Sequence, residues 1–236
     1  MTLNEIDLDS LSFFSLATDS SKWPGIDQIR SACLGWILFN IEITCSAGEH
    51  LLTPREAARA MRMGSRRRRD FIAARVALKR LARQLDIVKE NRPDQEIETL
   101  GPDGVRPCLA ESGIYCSVSH SDRLVAAVAH RHPVGVDIEM ISEKPTRTKY
   151  LFMSPRERNL VSLSSLGPER AATRAWTTKE AAAKVFGLHL FQAIQEVDVV
   201  RVGAEEGVLT YQEKTYPVRH GEGSGYVITV VTCDDL

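Results

Sequence analysis

Two carboxylates stand two residues apart in the otherwise apolar run Val134-Gly135-Val136-Asp137-Ile138-Glu139. On an extended strand such residues share a face, so Asp137 and Glu139 project together while Val136 and Ile138 turn to the core. Paired carboxylates repel. They are tolerated where water solvates a strand end, or where a divalent cation lies between them; magnesium takes a few carboxylates and completes its shell with water and phosphate. Further along, Trp176-Thr177-Thr178-Lys179-Glu180-Ala181-Ala182-Ala183-Lys184 places Trp176, Glu180 and Lys184 on one helical stripe, with Lys179 beside it. A Glu to Lys pair at that step is also the commonest exposed helix pair. The tryptophan on the same stripe argues for a covered face, where Glu180 needs a partner such as a cation shared with Asp137 and Glu139.

Two further clusters suit anions. Ser117-Val118-Ser119-His120-Ser121 offers hydroxyls and an imidazole to phosphate oxygens, although a serine-rich turn with a surface histidine is an equally plain account. The run Arg66 to Arg69 points all round its helix and is mostly solvated or paired with acids such as Asp70, whereas Arg75, among Ile72, Ala74 and Leu78, is harder to explain as surface charge. No G-x-S-x-G elbow is present, which argues against serine-hydrolase chemistry.

The elements that must position these groups follow from periodicity. Ala32 to Thr44 reads as a buried strand. Thr53-Pro54-Arg55-Glu56 has the form of a capping box with proline in the first turn. Phe71, Ala74, Leu78 and Leu81 mark a helix from Arg66 to Gln84. A loop rich in proline and glycine leads to short strands at Ile114 to Val118 and Leu124 to Ala129, and a fresh strand runs from Val134 to Glu139. Ser154-Pro155-Arg156-Glu157 echoes the earlier cap, and the helix after it carries Trp176, Glu180 and Lys184 where the first carries Phe71, Arg75 and Lys79. That register requires a four-residue insertion. The tail, from Glu196 to Val231, reads as antiparallel strands. The expected organisation is α+β, a pseudo-twofold duplication of two similar lobes, residues 1–131 and 132–236, with the site in the cleft between them.

Composition narrows the classes. The 236 residues are 43% hydrophobic and carry a net charge of -1, so no overall field points to nucleic acid or to an anionic membrane. The five cysteines form no CxxC pair, and the acidic amino terminus lacks a basic leader, so a cytoplasmic protein with reduced thiols is expected.

Taken together, GVDIE, the later WTTKEAAAK, SVSHS upstream and the arginine-bearing FIAAR helix resemble the surfactin-synthetase-activating type of 4′-phosphopantetheinyl transferase, over about Arg66 to Gly187. The resemblance implies two similar α+β lobes with coenzyme A between them. It implies magnesium on Asp137, Glu139 and Glu180, phosphate contacts from Lys179 and Lys184, contacts from Ser119 and His120 to the phosphorylated ribose region, and Arg75, with Arg69 as a second candidate, on the 3′-phosphate. Arg106-Pro107 stands where the family has lysine-proline near the adenine, and Ala73 where many members have glycine. The implied reaction moves phosphopantetheine to a serine of an acyl or peptidyl carrier protein, with Glu180 as base, directly or through a water on the metal, and with Lys184 stabilising charge. A monomer is expected, since the duplication supplies within one chain the interface a single lobe would need from a partner. Two rivals stand beside this reading. A non-catalytic protein binding coenzyme A or a nucleotide would not need three convergent carboxylates, and a metal-dependent nuclease or phosphodiesterase would use the arginine run on nucleic acid.

Overall fold

In the computed structural model, which describes residues 23–41, 48–109 and 113–233, two antiparallel sheets meet edge to edge. The first contains β1 (Gly35–Asn40), β2 (Tyr115–Ser121) and β3 (Leu124–His130) in the order β1-β3-β2. The second contains β4 (Val134–Met140), β5 (Asp198–Val202), β6 (Glu206–Tyr211), β7 (Lys214–Gly223) and β8 (Tyr226–Thr232) in the order β4-β8-β7-β6-β5. Seven α-helices accompany them among the described residues: α1 (Ile26–Ser31), α2 (Pro54–Ala60), α3 (Ser65–Gln84), α4 (Glu143–Phe152), α5 (Pro155–Ser162), α6 (Pro168–Phe186) and α7 (Leu190–Glu196). The α+β class expected from the periodicity holds. The strand read from Ala32 onward begins only at Gly35, because Ala32 still closes α1; residues 42–44 and Cys45 lie outside the described residues.

Both expected capping boxes form. The Glu56 backbone N–H donates to Thr53 Oγ1 and the Thr53 N–H donates to the Glu56 carboxylate at 2.9 Å; Ser154 and Glu157 repeat the arrangement. Each box starts a short helix that precedes a long one, α3 or α6, lying on its own sheet. Leu78 and Leu81 of α3 pack with Val125, Ala127 and Ala129 of β3. Small residues dominate α6, and Ala181 and Ala182 let it approach the second sheet closely. At Gly135 the approach is closest: a Cβ there would overlap the Ala181 carbonyl oxygen, so only glycine lets β4 and α6 pack at this depth.

One apolar core spans both sheets. Leu38, Ala126 and Val128 of the first sheet share it with Val136, Ile138 and Ile228 of the second, and Trp23, Ile26 and Ile29 close it. The α1 segment therefore packs across both sheets, with the Glu222 N–H of β7 donating to the Pro24 carbonyl at 2.9 Å.

Candidate active site

The edges β2 and β4 run side by side without a backbone ladder between them, and side chains supply what the ladder would. Ser117, Ser119 and Ser121 share one face of β2. Ser117 Oγ accepts the Val136 N–H at 3.0 Å, Ser119 Oγ donates to Asp137 Oδ1 at 2.7 Å, and Ser121 Oγ donates to Glu139 Oε2 at 2.8 Å. The two-residue period of the serines thus meets the two-residue period of the carboxylates. From the other side Lys184 Nζ donates to the Val136 carbonyl at 2.8 Å and pairs with Asp137 Oδ1 at 2.9 Å.

Glu180, one turn before Lys184 on α6, lies close enough to Asp137 to feel its charge. Burial, then the negative charge of Asp137, pushes the Glu180 carboxyl up to about 7, against the pull of Lys184. Burial raises Glu139 as well, while Ser121 and the indole N–H of Trp176 favour its charged form. Trp176 is itself half-buried, edge-on against the Phe152 ring at 4.9 Å, which accounts for the covered stripe expected on this helix. Asp137 is 1% exposed, not solvated at a strand end, and its Oδ2 is buried without a partner. Three carboxyl groups, two of them with raised pKa values, and one orphaned oxygen make a site short of positive charge. Among the described residues no three acidic, histidine or cysteine side chains form a ready metal cage. Magnesium needs less than that, since it keeps water and phosphate in its shell, and the donor set suits it.

His120 lies next to this cluster, with Nδ1 3.9 Å from Asp70 Oδ2. Burial holds its imidazole below the usual value, opposed by Asp70 and assisted by Lys184. Arg69 reaches the same Asp70 at 3.4 Å, so Arg69, Asp70 and His120 form a chain leading to the carboxylates. Asp70 pairs with the arginine run as expected, and its place beside His120 is what the sequence pattern did not single out.

Lys184 also lines a cleft of about 840 Å³, walled by Arg75, Arg106, Pro107 and Ser117 on one side and by Val134, Phe186 and His189 on the other. Arg106 is exposed and reaches toward Gly187 at the end of α6. Across the loop that holds Arg106, a second recess of about 470 Å³ is lined by Arg55, Arg59, Arg62 and Arg67 with Gly104. Arg55 donates to the carbonyls of Leu100, Gly101 and Pro102, and Arg59 to that of Gly104, so these arginines shape the loop that divides the two hollows. Arg55 and Arg59 stand one turn apart on α2, and Arg62 follows just beyond its end.

Two expected phosphate ligands are engaged within the protein. Lys179 is 1% exposed, and its ammonium is spent on Glu157 Oε1 at 2.9 Å and on the carbonyls of Val197 at 2.6 Å and Ile194 at 3.3 Å. It points away from the carboxylates, because a residue adjacent to Glu180 on a helix faces about 100° away from it. Arg75 borders the cleft but is 4% exposed, donates Nη1 to the Thr99 carbonyl at 2.7 Å and stacks on Phe71, with Nε unpartnered.

The family model described as the 4'-phosphopantetheinyl transferase superfamily matches residues 133–231. This segment is similar to that superfamily. The matched segment contains Asp137, Glu139, Glu180 and Lys184 together. Among its relatives, enterobactin synthase component D of Salmonella typhi is 30% identical over 125 residues, 52% of this chain and 50% of the relative. The 4'-phosphopantetheinyl transferase HetI of Nostoc sp. is 29% identical over 164 residues, 67% of this chain and 68% of the relative. The 4'-phosphopantetheinyl transferase gsp of Aneurinibacillus migulanus is 30% identical over 108 residues, 44% of each. The chain spans 50 to 60% of the length of the enterobactin synthase components it matches.

Proposed function

We propose that this chain transfers the 4′-phosphopantetheine arm of coenzyme A to a serine hydroxyl of an acyl or peptidyl carrier protein, with magnesium as cofactor. The observation that carries this reading is the convergence of Asp137, Glu139, Glu180 and Lys184, the last of which also lines the cleft, with Asp137 Oδ2 unpartnered. Asp137, Glu139 and Glu180 would hold the ion. When bound, magnesium offsets charge on the pyrophosphate and favours departure of the leaving phosphate.

The residues of the chain account for the remaining steps. Glu180, whose carboxyl is poised near neutrality, takes the proton of the carrier serine. The serine oxygen bonds to the β-phosphorus, the bond from that phosphorus to the bridging oxygen breaks, and the electron pair leaves with 3′,5′-adenosine bisphosphate. Lys184, fixed by Asp137 and the Val136 carbonyl, places a positive charge where negative charge builds. His120 and Arg106 line the approach of the nucleotide. The 3′-phosphate belongs in the arginine recess beside Arg59 and Arg62, with Arg75 shaping the loop through Thr99.

Four free cysteines among the described residues fit a reducing, cytoplasmic setting, and none of the described helices is long and apolar enough to cross a membrane. With both lobes in one chain the cleft is complete, which supports a monomer.

The deciding experiment is intact-protein mass spectrometry of apo carrier proteins incubated with the chain, coenzyme A and magnesium, with and without EDTA. A gain of about 340 Da, lost with EDTA or with a serine-to-alanine carrier, is the expected result. Coenzyme A binding without any gain across carrier classes would favour the non-catalytic binding protein instead.

A further inference from the structure

We propose that Lys179 serves the transfer as a positioning residue, clamping α6 through Glu157, and makes no contact with coenzyme A; this rests on the transferase reading above and refines it. An ammonium has three donors. All three of Lys179 are used, on Glu157 Oε1 and on the Ile194 and Val197 carbonyls, inside a site closed to water. The same Glu157 accepts the Ser154 N–H that starts α5 and the Val199 N–H that starts β5. One carboxylate therefore ties the beginnings of α5 and β5 to the middle of α6. Glu180, the next residue, points about 100° round the helix from Lys179, so tethering Lys179 fixes the rotation at which Glu180 meets Asp137 and Lys184 meets the Val136 carbonyl.

The first lobe contains the same clamp without a carboxylate site beside it. Lys79 Nζ pairs with Glu56 Oε2 at 2.9 Å and donates to the carbonyls of Asp94 and Ile97, and Glu56 in turn accepts the N–H groups of Thr53 and Thr99. In both lobes the accepting carbonyls lie 15 and 18 residues after the lysine. Lys79 is followed by Arg80 on α3, not by an acid. The clamp is thus a way of seating a long helix on its sheet, which the second lobe uses to aim Glu180 and Lys184. It also corrects the register between lobes: Lys179 answers Lys79, so no four-residue insertion is needed and Glu180 has no counterpart at Arg75.

Lys179→Met, Glu157→Gln and the double variant separate the roles. Each is assayed for melting temperature without ligand, for coenzyme A affinity by calorimetry and for carrier modification. The clamp predicts that each single change lowers Tm by about 10 °C, because it leaves a buried charge unpaired, and that the double variant is no worse than either. It also predicts that both single changes slow transfer by a similar factor, about tenfold or more, although a carboxylate such as Glu157 cannot be a phosphate ligand. Should a single variant fail to fold, Glu157→Met with Lys179→Met, which leaves no buried charge, carries the rate comparison. The proposal is overturned if Lys179→Met weakens coenzyme A binding with Tm unchanged while Glu157→Gln behaves as the unmodified protein. Absence of transfer by the unmodified protein would count against the proposed function, and the clamp would still be judged by melting and calorimetry.

Discussion

Ser119 Oγ donates to Asp137 Oδ1 at 2.7 Å, and the second oxygen of that carboxylate is buried with nothing to bind. Ser119 therefore helps to fix the orientation of this carboxylate. A hydrogen bond to an ionised group contributes about 1.5–3 kcal/mol. Ser119→Ala is expected to raise the magnesium concentration needed for half-maximal transfer by about tenfold, with Tm lowered only slightly. An unchanged magnesium titration would mean that Lys184 alone orients Asp137.

Glu180→Gln removes the acid that burial and Asp137 hold near neutrality. Transfer should fall by about 100-fold or more, on the scale of a lost general base. The metal-free protein should melt no earlier than the unmodified one, because a repulsive carboxyl has been replaced by an amide. Near-normal turnover in this variant would remove Glu180 from the reaction.

Gly135→Ala tests the depth at which α6 lies on β4. The added Cβ overlaps the Ala181 carbonyl, which is helix backbone and cannot swing aside. Overpacking of this kind costs about 1–3 kcal/mol and here also carries Glu180 and Lys184 away from Asp137. Transfer should drop more than stability does, a ratio read by comparing rate and chemical denaturation on the same sample. Full activity would show that β4 and α6 tolerate separation.

Arg62→Glu places a negative charge in the arginine recess. Binding of coenzyme A should weaken by about tenfold or more while dephospho-coenzyme A, which lacks the 3′-phosphate, is affected far less. Equal losses for both ligands would move the 3′-phosphate elsewhere, with Arg75 the next candidate.

Much of this site was legible because strands and helices have fixed periods. Asp137 and Glu139 had to share a face, and Glu180 and Lys184 had to share a stripe, whatever the fold around them. The capping boxes at Thr53 and Ser154 were legible for the same reason, since the interaction is local. Lys179 was not. Its partners are a glutamate 22 residues before it and two backbone carbonyls after it, and carbonyls leave no trace in the residue types. Two lysines on α6 look alike in sequence, and only the packing of α5, α7 and β5 decides which one is buried. The pairings of Ser121 with Glu139 and of Asp70 with His120 were not legible either, because they depend on how β2 meets β4 and α3 in space.

His220 links pH to stability. Its imidazole is wholly buried, with Nδ1 2.9 Å from Thr229 Oγ1, and burial, then the charge of Arg174, pushes it down to about 3. In the unfolded chain it would take up a proton near pH 6.5. Between these values the unfolded state binds more protons, so this contribution is complete above about pH 6.5 and is lost as pH falls toward 3, by an amount on the order of a few kcal/mol. Glu180 and Glu139, whose carboxyls are raised, act in the opposite sense in the metal-free protein, becoming less costly as they protonate. The informative quantity is therefore the difference between variants. Melting of the metal-free protein from pH 7.5 to 4.5 should show a steeper loss for the unmodified chain than for His220→Asn, even though the variant starts lower. Parallel curves would place the acid sensitivity in groups other than His220.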